Sequence, residues 1–207
     1  DFDMIMLRML LNDTTIPKVF VGDPMQSIYQ FRGCINAFNY LPSDSLIIEF
    51  YSTFRVGNPA CDSIRDKFNE CWMISRSKNE TIFVNSFSKN EKYTYLFRSW
   101  RVLLQTATSL QNIWIYNFNK KYNEIINLHK KLQYIKTLNE EDNQCEDDLP
   151  MFLKSLSANE LQELLDKVSD NIVDEEDCRI KFYTIHSYKG MENDNIRIAK
   201  HVDIKKD

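Results

Sequence analysis

The amino-acid sequence predicts an α/β fold with a mostly parallel sheet. Short apolar runs alternate along the chain with longer stretches of helical periodicity. Strands that alternate with helices are typical of parallel sheets joined by helical crossovers. Of the 207 residues, 43% are hydrophobic and 27% are charged, so a packed core is possible. The length is compatible with one domain or two small ones.

The predicted helices carry apolar residues at helical spacing, and two of them carry start signals. Asn58 can cap a helix that has Pro59 in its first turn, with Ile64, Phe68 and Cys71 on one face. Ser99 can cap the following helix. The predicted helices cover residues 2–12, a segment that begins at Asn58, and residues 99–110, 119–136 and 158–170.

The predicted strands are short runs rich in β-branched and aromatic residues. KVFVGD (18–23) and SLIIEF (45–50) are continuous apolar runs, which favours buried strands. The other predicted strands are TIFVN (81–85), YTYLFR (93–98), NIWIYN (112–117), RIKFYTIH (179–186) and IRIA (196–199). Two acidic segments, 139–148 and DEED at 174–177, are interpreted as a solvated loop and an acidic turn.

Charge and cysteine usage limit the class of protein. The net charge is -4, so a nucleic-acid contact requires a local groove and not a basic surface. Five cysteines without a CxxC pair favour neither a disulfide framework nor a zinc site. We therefore predict an intracellular, reducing compartment (nucleus or cytoplasm) and not secretion. No stretch reaches the roughly 18 apolar residues of a membrane span, so no membrane partner is expected.

The segment VGDPMQSIYQFRG (21–33) combines an amide, two aromatic rings and a guanidinium after a predicted strand. Ligands bind at the carboxyl edge of such sheets. Aromatic rings such as Tyr29 and Phe31 can stack on bases, and Arg32 can bind phosphate. Each residue alone is better explained by a strand, a turn or core packing, but the complete string favours a nucleotide contact.

GDPMQSIYQFRG resembles motif III of the UvrD/Rep DNA helicases, whose usual form is GDxxQxIYxFRGA. Only the last alanine differs, since Cys34 occupies its position. The resemblance implies that Gln26 contacts the nucleotide and couples it to DNA. It also implies that Tyr29, Phe31 and Arg32 contact single-stranded DNA.

Two further segments follow in the order that this family shows. EFYSTFRVGNPACDSI (49–64) is similar to motif IV, with Phe54 where the family usually has tyrosine. The resemblance implies that Phe54 stacks on adenine and that Arg55 senses the γ-phosphate. A guanidinium suits that place because negative charge lies there throughout phosphoryl transfer. YTYLFRSWRVLLQTA (93–107) resembles a strand and helix of the second motor domain, in which Arg98 is interpreted as mainly structural.

FYTIHSYKGMENDNIRIA (182–199) resembles motif V, TxHxxKGxExxxV. The resemblance implies that Thr184 and His186 contact single-stranded DNA, and that Gly190 and Glu192 face the nucleotide ribose. Hydroxyl and imidazole groups can bond phosphate oxygens, and a carboxylate can accept from ribose hydroxyls. Alone, His186 would be interpreted as an ordinary histidine at the end of a strand.

Taken together, the resemblance implies two incomplete RecA-like motor domains of the P-loop NTPase fold. The first would cover residues 1–46, and the second residues 47–207 with a helical insertion at about 118–178. The implied function is ATP-dependent 3′-to-5′ translocation on single-stranded DNA and unwinding of duplex DNA, and the F-box DNA helicases are the nearest subfamily. ATP and Mg²⁺ are the implied cofactors, with Asp1 the one remaining candidate from the magnesium motif. Because the chain begins at Asp1 without a methionine, we expect it to be a fragment.

Three different functions are also compatible with the sequence. None of the four glycines precedes a lysine, so the chain contains no phosphate-binding loop. This favours the first of them, a non-catalytic relic or a module that binds single strands or a partner. The second is a helicase subunit of a recombination nuclease, and the third is an unrelated Rossmann-like enzyme.

Overall fold

The computed structural model describes residues 3–13, 15–26, 33–68, 73–88, 90–137 and 148–199. The chain divides into two compact units, Asp1–Ser86 and Phe87–Asp207. Helices and parallel sheets make up both, which confirms the predicted α/β class. The predicted boundary at residues 46 and 47, between two motor domains, falls inside the first unit and stays a prediction.

The first unit is built from short elements. They are α1 (Met4–Asn12), two 3₁₀ turns (Pro24–Gln26 and Ala37–Tyr40), β1 (Ser52–Thr53), α2 (Asn58–Lys67) and β2 (Ile74–Ser75). Helix α1 confirms the predicted amphipathic helix over its described residues. It begins after Asp3, whose carboxylate accepts hydrogen bonds from the backbone N–H groups of Ile5 and Met6 at 2.8 and 3.1 Å. Strands β1 and β2 pair in parallel over two residues each.

Three predicted strands of this unit are wrong. Residues 18–23, 45–50 and 81–85, all within the described ranges, form no strand. Their apolar side chains face solvent: Val21 and Phe50 are each 90% exposed. A β-branched composition favours an extended backbone, but a strand also needs a neighbouring strand to pair with, and these segments join no sheet within the described part of the unit. A short apolar run therefore does not by itself determine a buried strand.

Helix α2 begins one residue earlier than predicted. Gly57 is the N-cap and Asn58 is the first helical residue, with Pro59 in the first turn as expected. Cys61 is the buried residue of this helix, whereas Phe68, expected on one helix face with Ile64, lies just beyond the helix and is 44% exposed. Cys71, also expected there, lies outside the described residues.

The second unit contains a four-stranded parallel sheet with helices. Its elements are β3 (Tyr93–Phe97), α3 (Trp100–Ala107), β4 (Ile113–Ile115), α4 (Phe118–Thr137), α5 (Asp148–Ser155), α6 (Ala158–Asp170), β5 (Ile180–Thr184), α7 (Ile185–Tyr188) and β6 (Ile196–Ile198). The strand order is β4-β5-β3-β6 and every pair is parallel. All four strands predicted for this part of the chain are confirmed, as are the helices predicted at 99–110, 119–136 and 158–170.

The core of the second unit lies between one face of the sheet and the helices. Phe97 and Phe182 are fully buried and their ring centroids are 4.8 Å apart. Leu103 and Leu104 of α3 and Leu165 of α6 are buried in the same cluster. Successive side chains of a strand point to opposite faces of the sheet, so Tyr93 and Phe97 of β3 and Ile180 and Phe182 of β5 lie in this core. This packing holds the sheet against the helices, and it therefore also positions the loops that follow the strands.

Local capping explains where the helices of this unit begin. The Ser99 hydroxyl caps α3, as predicted. Helix α6 begins with a capping box, in which Ser157 and Glu160 each accept the other's backbone N–H. Helix α5 was not predicted, because Pro150 and the preceding acidic residues are typical of a loop; in the structure this proline lies in the first turn, where it is tolerated.

Candidate nucleotide and DNA site

In the loop of residues 54–57, called the motif IV loop, hydrogen bonds hold the backbone in place, and the side chains of Phe54 and Arg55 are exposed. It lies between β1 and α2, and Phe54 is 78% exposed. The side chain of Arg55 is also exposed. On the strand side, the carbonyl of Thr53 accepts from the N–H of Arg76 at 2.7 Å, and the Thr53 hydroxyl accepts from the N–H of Arg55 at 3.3 Å. An aromatic ring and a guanidinium presented on a fixed loop suit a nucleotide contact.

Gln26 ends the first 3₁₀ turn, on a loop that is anchored locally. Its side-chain amide donates to the Asp23 carboxylate at 2.9 Å, and its backbone N–H donates to the Asp23 carbonyl at 3.0 Å. Gln26 is exposed, as is Gly33 farther along the segment, which has a positive φ of 76°. The other predicted contacts of this segment, at Tyr29, Phe31 and Arg32, lie outside the described residues, and so does Asp1.

The motif V segment passes from β5 directly into the short helix α7. Thr184 is only 7% exposed, and its hydroxyl accepts from the backbone N–H of Ser187 at 3.3 Å. The Ser187 hydroxyl in turn donates to the Thr184 carbonyl at 2.9 Å. This reciprocal pair sets the turn that presents His186, which is half-buried. The sequence did not indicate a role for Ser187, because its hydrogen bonds to Thr184 exist only when the turn is formed.

The loop after α7 carries the other two predicted nucleotide residues. Gly190 has a φ of 86°, a conformation that favours glycine. Apart from its chain neighbours, no atom of the described residues lies within 4 Å of the place where a Cβ would be, so this conformation and not a lack of space favours glycine there. Glu192 is exposed. The side-chain amide of Asn193 donates to the Thr94 hydroxyl at 2.9 Å, which fastens the loop to β3. Asn193 and Thr94 therefore determine where Glu192 lies, and neither was singled out from the sequence.

Arg98 lies at the same edge of the sheet as the motif V segment. It directly follows Phe97, whose partner across the β3–β5 pair is Thr184. In the strand order β4-β5-β3-β6, β3 and β5 are neighbours. The chain leaves β3 toward the β4 edge of the sheet and leaves β5 toward the β6 edge. Neighbouring strands whose connections leave in opposite directions form a switch point, where α/β sheets bind ligands. Arg98, interpreted from the sequence as mainly structural, is thus placed next to predicted DNA contacts.

Aromatic rings support β5 from the sheet face opposite the core. Tyr183 has its ring centroid 5.7 Å from Trp114, 5.3 Å from Tyr116 and 5.2 Å from Tyr188. Burial raises the pKa of the Tyr183 phenol, and burial also raises the pKa of Tyr188. The rings therefore form a packed layer beneath the turn that carries His186.

Alkaline pH is expected to destabilise the second unit. Burial raises the pKa of Cys178 above its ordinary value of 9.0, and that of Tyr183 and Tyr188 above 10.0, while the hydrogen bond to Glu175 raises the pKa of Lys181. The folded state then holds protons more tightly than the unfolded state, so stability is full below the ordinary values and falls as pH rises past them. Urea unfolding between about pH 8 and pH 11 should show falling midpoints.

The control for this pH dependence is Tyr188→Phe, which keeps the ring and removes one titrating group. Its midpoint should fall less over the same pH range than that of the unchanged protein. Midpoints that stay level, or that fall equally in both proteins, would contradict the assignment.

Two other kinds of site are absent from the described part of the chain. No group of three or more His, Cys, Asp or Glu side chains there is arranged to hold a metal ion. Nor does any described helix combine the length and apolar character needed to cross a bilayer. Comparison with protein-family models, with curated proteins and with solved structures found no match.

Proposed function

We propose that this chain is part of an ATP-dependent DNA helicase of the UvrD/Rep type, with RecA-like motor domains. The observation that carries the proposal is the presence of three motif-like segments in family order: GDPMQSIYQFRG (22–33), the Phe54–Arg55 pair and TIHSYKGME (184–192). Two geometric features support it: an exposed aromatic–arginine pair on an anchored loop, and a switch point at the carboxyl edge of a parallel sheet.

In this proposal, each of the two units carries groups that suit a nucleotide contact. Phe54 offers a face for the adenine, and the Arg55 guanidinium stabilises charge on the γ-phosphate. Glu192, on the loop shaped by Gly190, accepts from the ribose hydroxyls. Gln26 contacts the nucleotide from the turn anchored by Asp23. ATP is the substrate that the resemblance to the UvrD/Rep helicases implies.

In this proposal, each of the two units also carries groups that suit single-stranded DNA. Tyr29, Phe31 and Arg32 would stack on bases and bind phosphate. At the edge of the second sheet, His186 and Arg98 would contact the backbone of the single strand. Because the Thr184 hydroxyl is already engaged by Ser187, we assign it the role of orienting the α7 turn.

The described residues do not fit the magnesium ion that the proposal implies. They contain no cluster of metal-binding side chains, and Asp1, the only residue assigned to the magnesium motif, lies outside them. No step of the proposed reaction is therefore assigned to the metal.

The direct test is ATP hydrolysis by the longest natural product that contains this segment, with and without single-stranded DNA. The proposal expects hydrolysis that DNA stimulates strongly. A second candidate, a non-catalytic module, is favoured by the lack of a glycine–lysine phosphate-binding loop in this sequence. No hydrolysis in a purified, folded product would overturn the helicase proposal and favour that module.

A further inference from the structure

One peptide group next to Arg55 is held at both of its polar atoms by the same neighbouring segment. The peptide joins Val56 to Gly57. Its carbonyl accepts a hydrogen bond from the Ser75 hydroxyl at 2.7 Å, and its N–H donates to the Thr81 hydroxyl at 2.9 Å. We call residues 75–81, which supply both hydroxyls, the brace.

Gly57 allows the brace to approach this closely. A side chain at residue 57 would overlap the backbone nitrogen of Thr81 and come within 2.9 Å of the Asn79 carbonyl oxygen. The φ of Gly57 is -73°, which any residue adopts, so the glycine is required for space and not for conformation. The absence of a side chain therefore serves the contact between the loop and the brace.

The brace is itself ordered by local bonds. The Ser75 hydroxyl accepts from the N–H of Ser77 at 3.2 Å, and the Ser77 hydroxyl accepts from the N–H of Asn79 at 3.1 Å. Ser75 belongs to β2, which pairs with β1 immediately before the motif IV loop. The loop is thus fastened before Arg55 by strand pairing and after it by two hydroxyl groups.

We infer that Ser75 and Thr81 are positioning residues for Arg55, an inference that rests on the proposed function. In this inference they do not contact the substrate. They hold the peptide between Val56 and Gly57 and so restrict the backbone position of Arg55. A misplacement of about 1 Å at a catalytic group can cost on the order of 100-fold in rate. Fixing this peptide therefore affects the chemical step and leaves nucleotide affinity largely unchanged.

The test uses Thr81→Val in the natural protein that carries this chain, because valine keeps the shape and removes the hydroxyl. The expected kcat for DNA-stimulated ATP hydrolysis is roughly 10- to 100-fold lower, with an unchanged KM for ATP. The matched control Thr81→Ser restores the hydroxyl and should recover kcat. Gly57→Ala is less useful as a test, because its steric overlap threatens folding.

A double-mutant cycle separates positioning from a general structural role. If Thr81 acts through Arg55, Thr81→Val should cause little further loss in an Arg55→Ala background. Equal fractional losses in both backgrounds, or an unchanged kcat in Thr81→Val while Arg55→Ala loses activity, would overturn the inference alone. Full activity in Arg55→Ala would overturn the motif IV assignment and the inference with it. No hydrolysis by the unchanged protein would overturn the proposed function as well.

Discussion

Arg55→Ala is expected to reduce kcat for DNA-stimulated ATP hydrolysis by at least about 1,000-fold, the range seen when a catalytic arginine is removed from phosphoryl-transfer enzymes. The reason is that the guanidinium stabilises charge that is greatest in the transition state, so kcat should fall far more than KM for ATP rises. Steady-state hydrolysis with saturating single-stranded DNA measures both quantities.

The fold should tolerate this change. Arg55 is exposed, and substitutions at exposed positions usually change stability by less than about 0.5 kcal/mol. The matched control is Arg8→Ala, which removes an exposed arginine from α1 and should leave kcat unchanged. If Arg55→Ala and Arg8→Ala hydrolyse ATP equally well, Arg55 has no role in the reaction and the motif IV assignment fails.

Phe182→Ala is expected to destabilise the second unit by about 3–5 kcal/mol, because it removes a large ring from a close-packed core. Phe182 is fully buried, and its ring centroid lies 4.8 Å from Phe97 and 5.6 Å from Tyr95. This loss is a large part of the roughly 5–15 kcal/mol by which domains are stable. Urea unfolding followed by circular dichroism should show a markedly lower midpoint.

The control for the core substitution is Met151→Ala on α5. Met151 is 66% exposed, so its removal should shift the midpoint only slightly. The comparison tests whether the sheet of the second unit is the packed centre described above. Equal midpoints for the two variants would contradict that description.

The second unit could be predicted closely because its sequence signals are local and agree with one another. Helix α6 spans the residues predicted for it, since Ser157 and Glu160 form a capping box at one end and apolar residues recur at helical spacing behind it. Strands β3 and β5 are runs of β-branched and aromatic residues, which favour an extended backbone, and each of them pairs with the other.

The first unit was predicted less well for a reason that composition does not reveal. KVFVGD and SLIIEF have the residues of buried strands, yet Val21 and Phe50 are among the most exposed side chains described. The backbone preference of such a run is a property of its sequence. Whether it pairs is decided by which other segments lie beside it.

For the candidate site, the sequence by itself determined the chemistry: which amide, arginine, histidine and carboxylate are available, and in what order they follow. Only the tertiary structure decided how they are held. It places Arg98 beside Thr184 across a strand pair, and it brings Thr81 to the N–H of Gly57 from 24 residues away. Helical spacing and capping act over a few residues, whereas strand register and hydroxyl-to-backbone contacts join distant segments, so they are fixed only when the whole unit has packed.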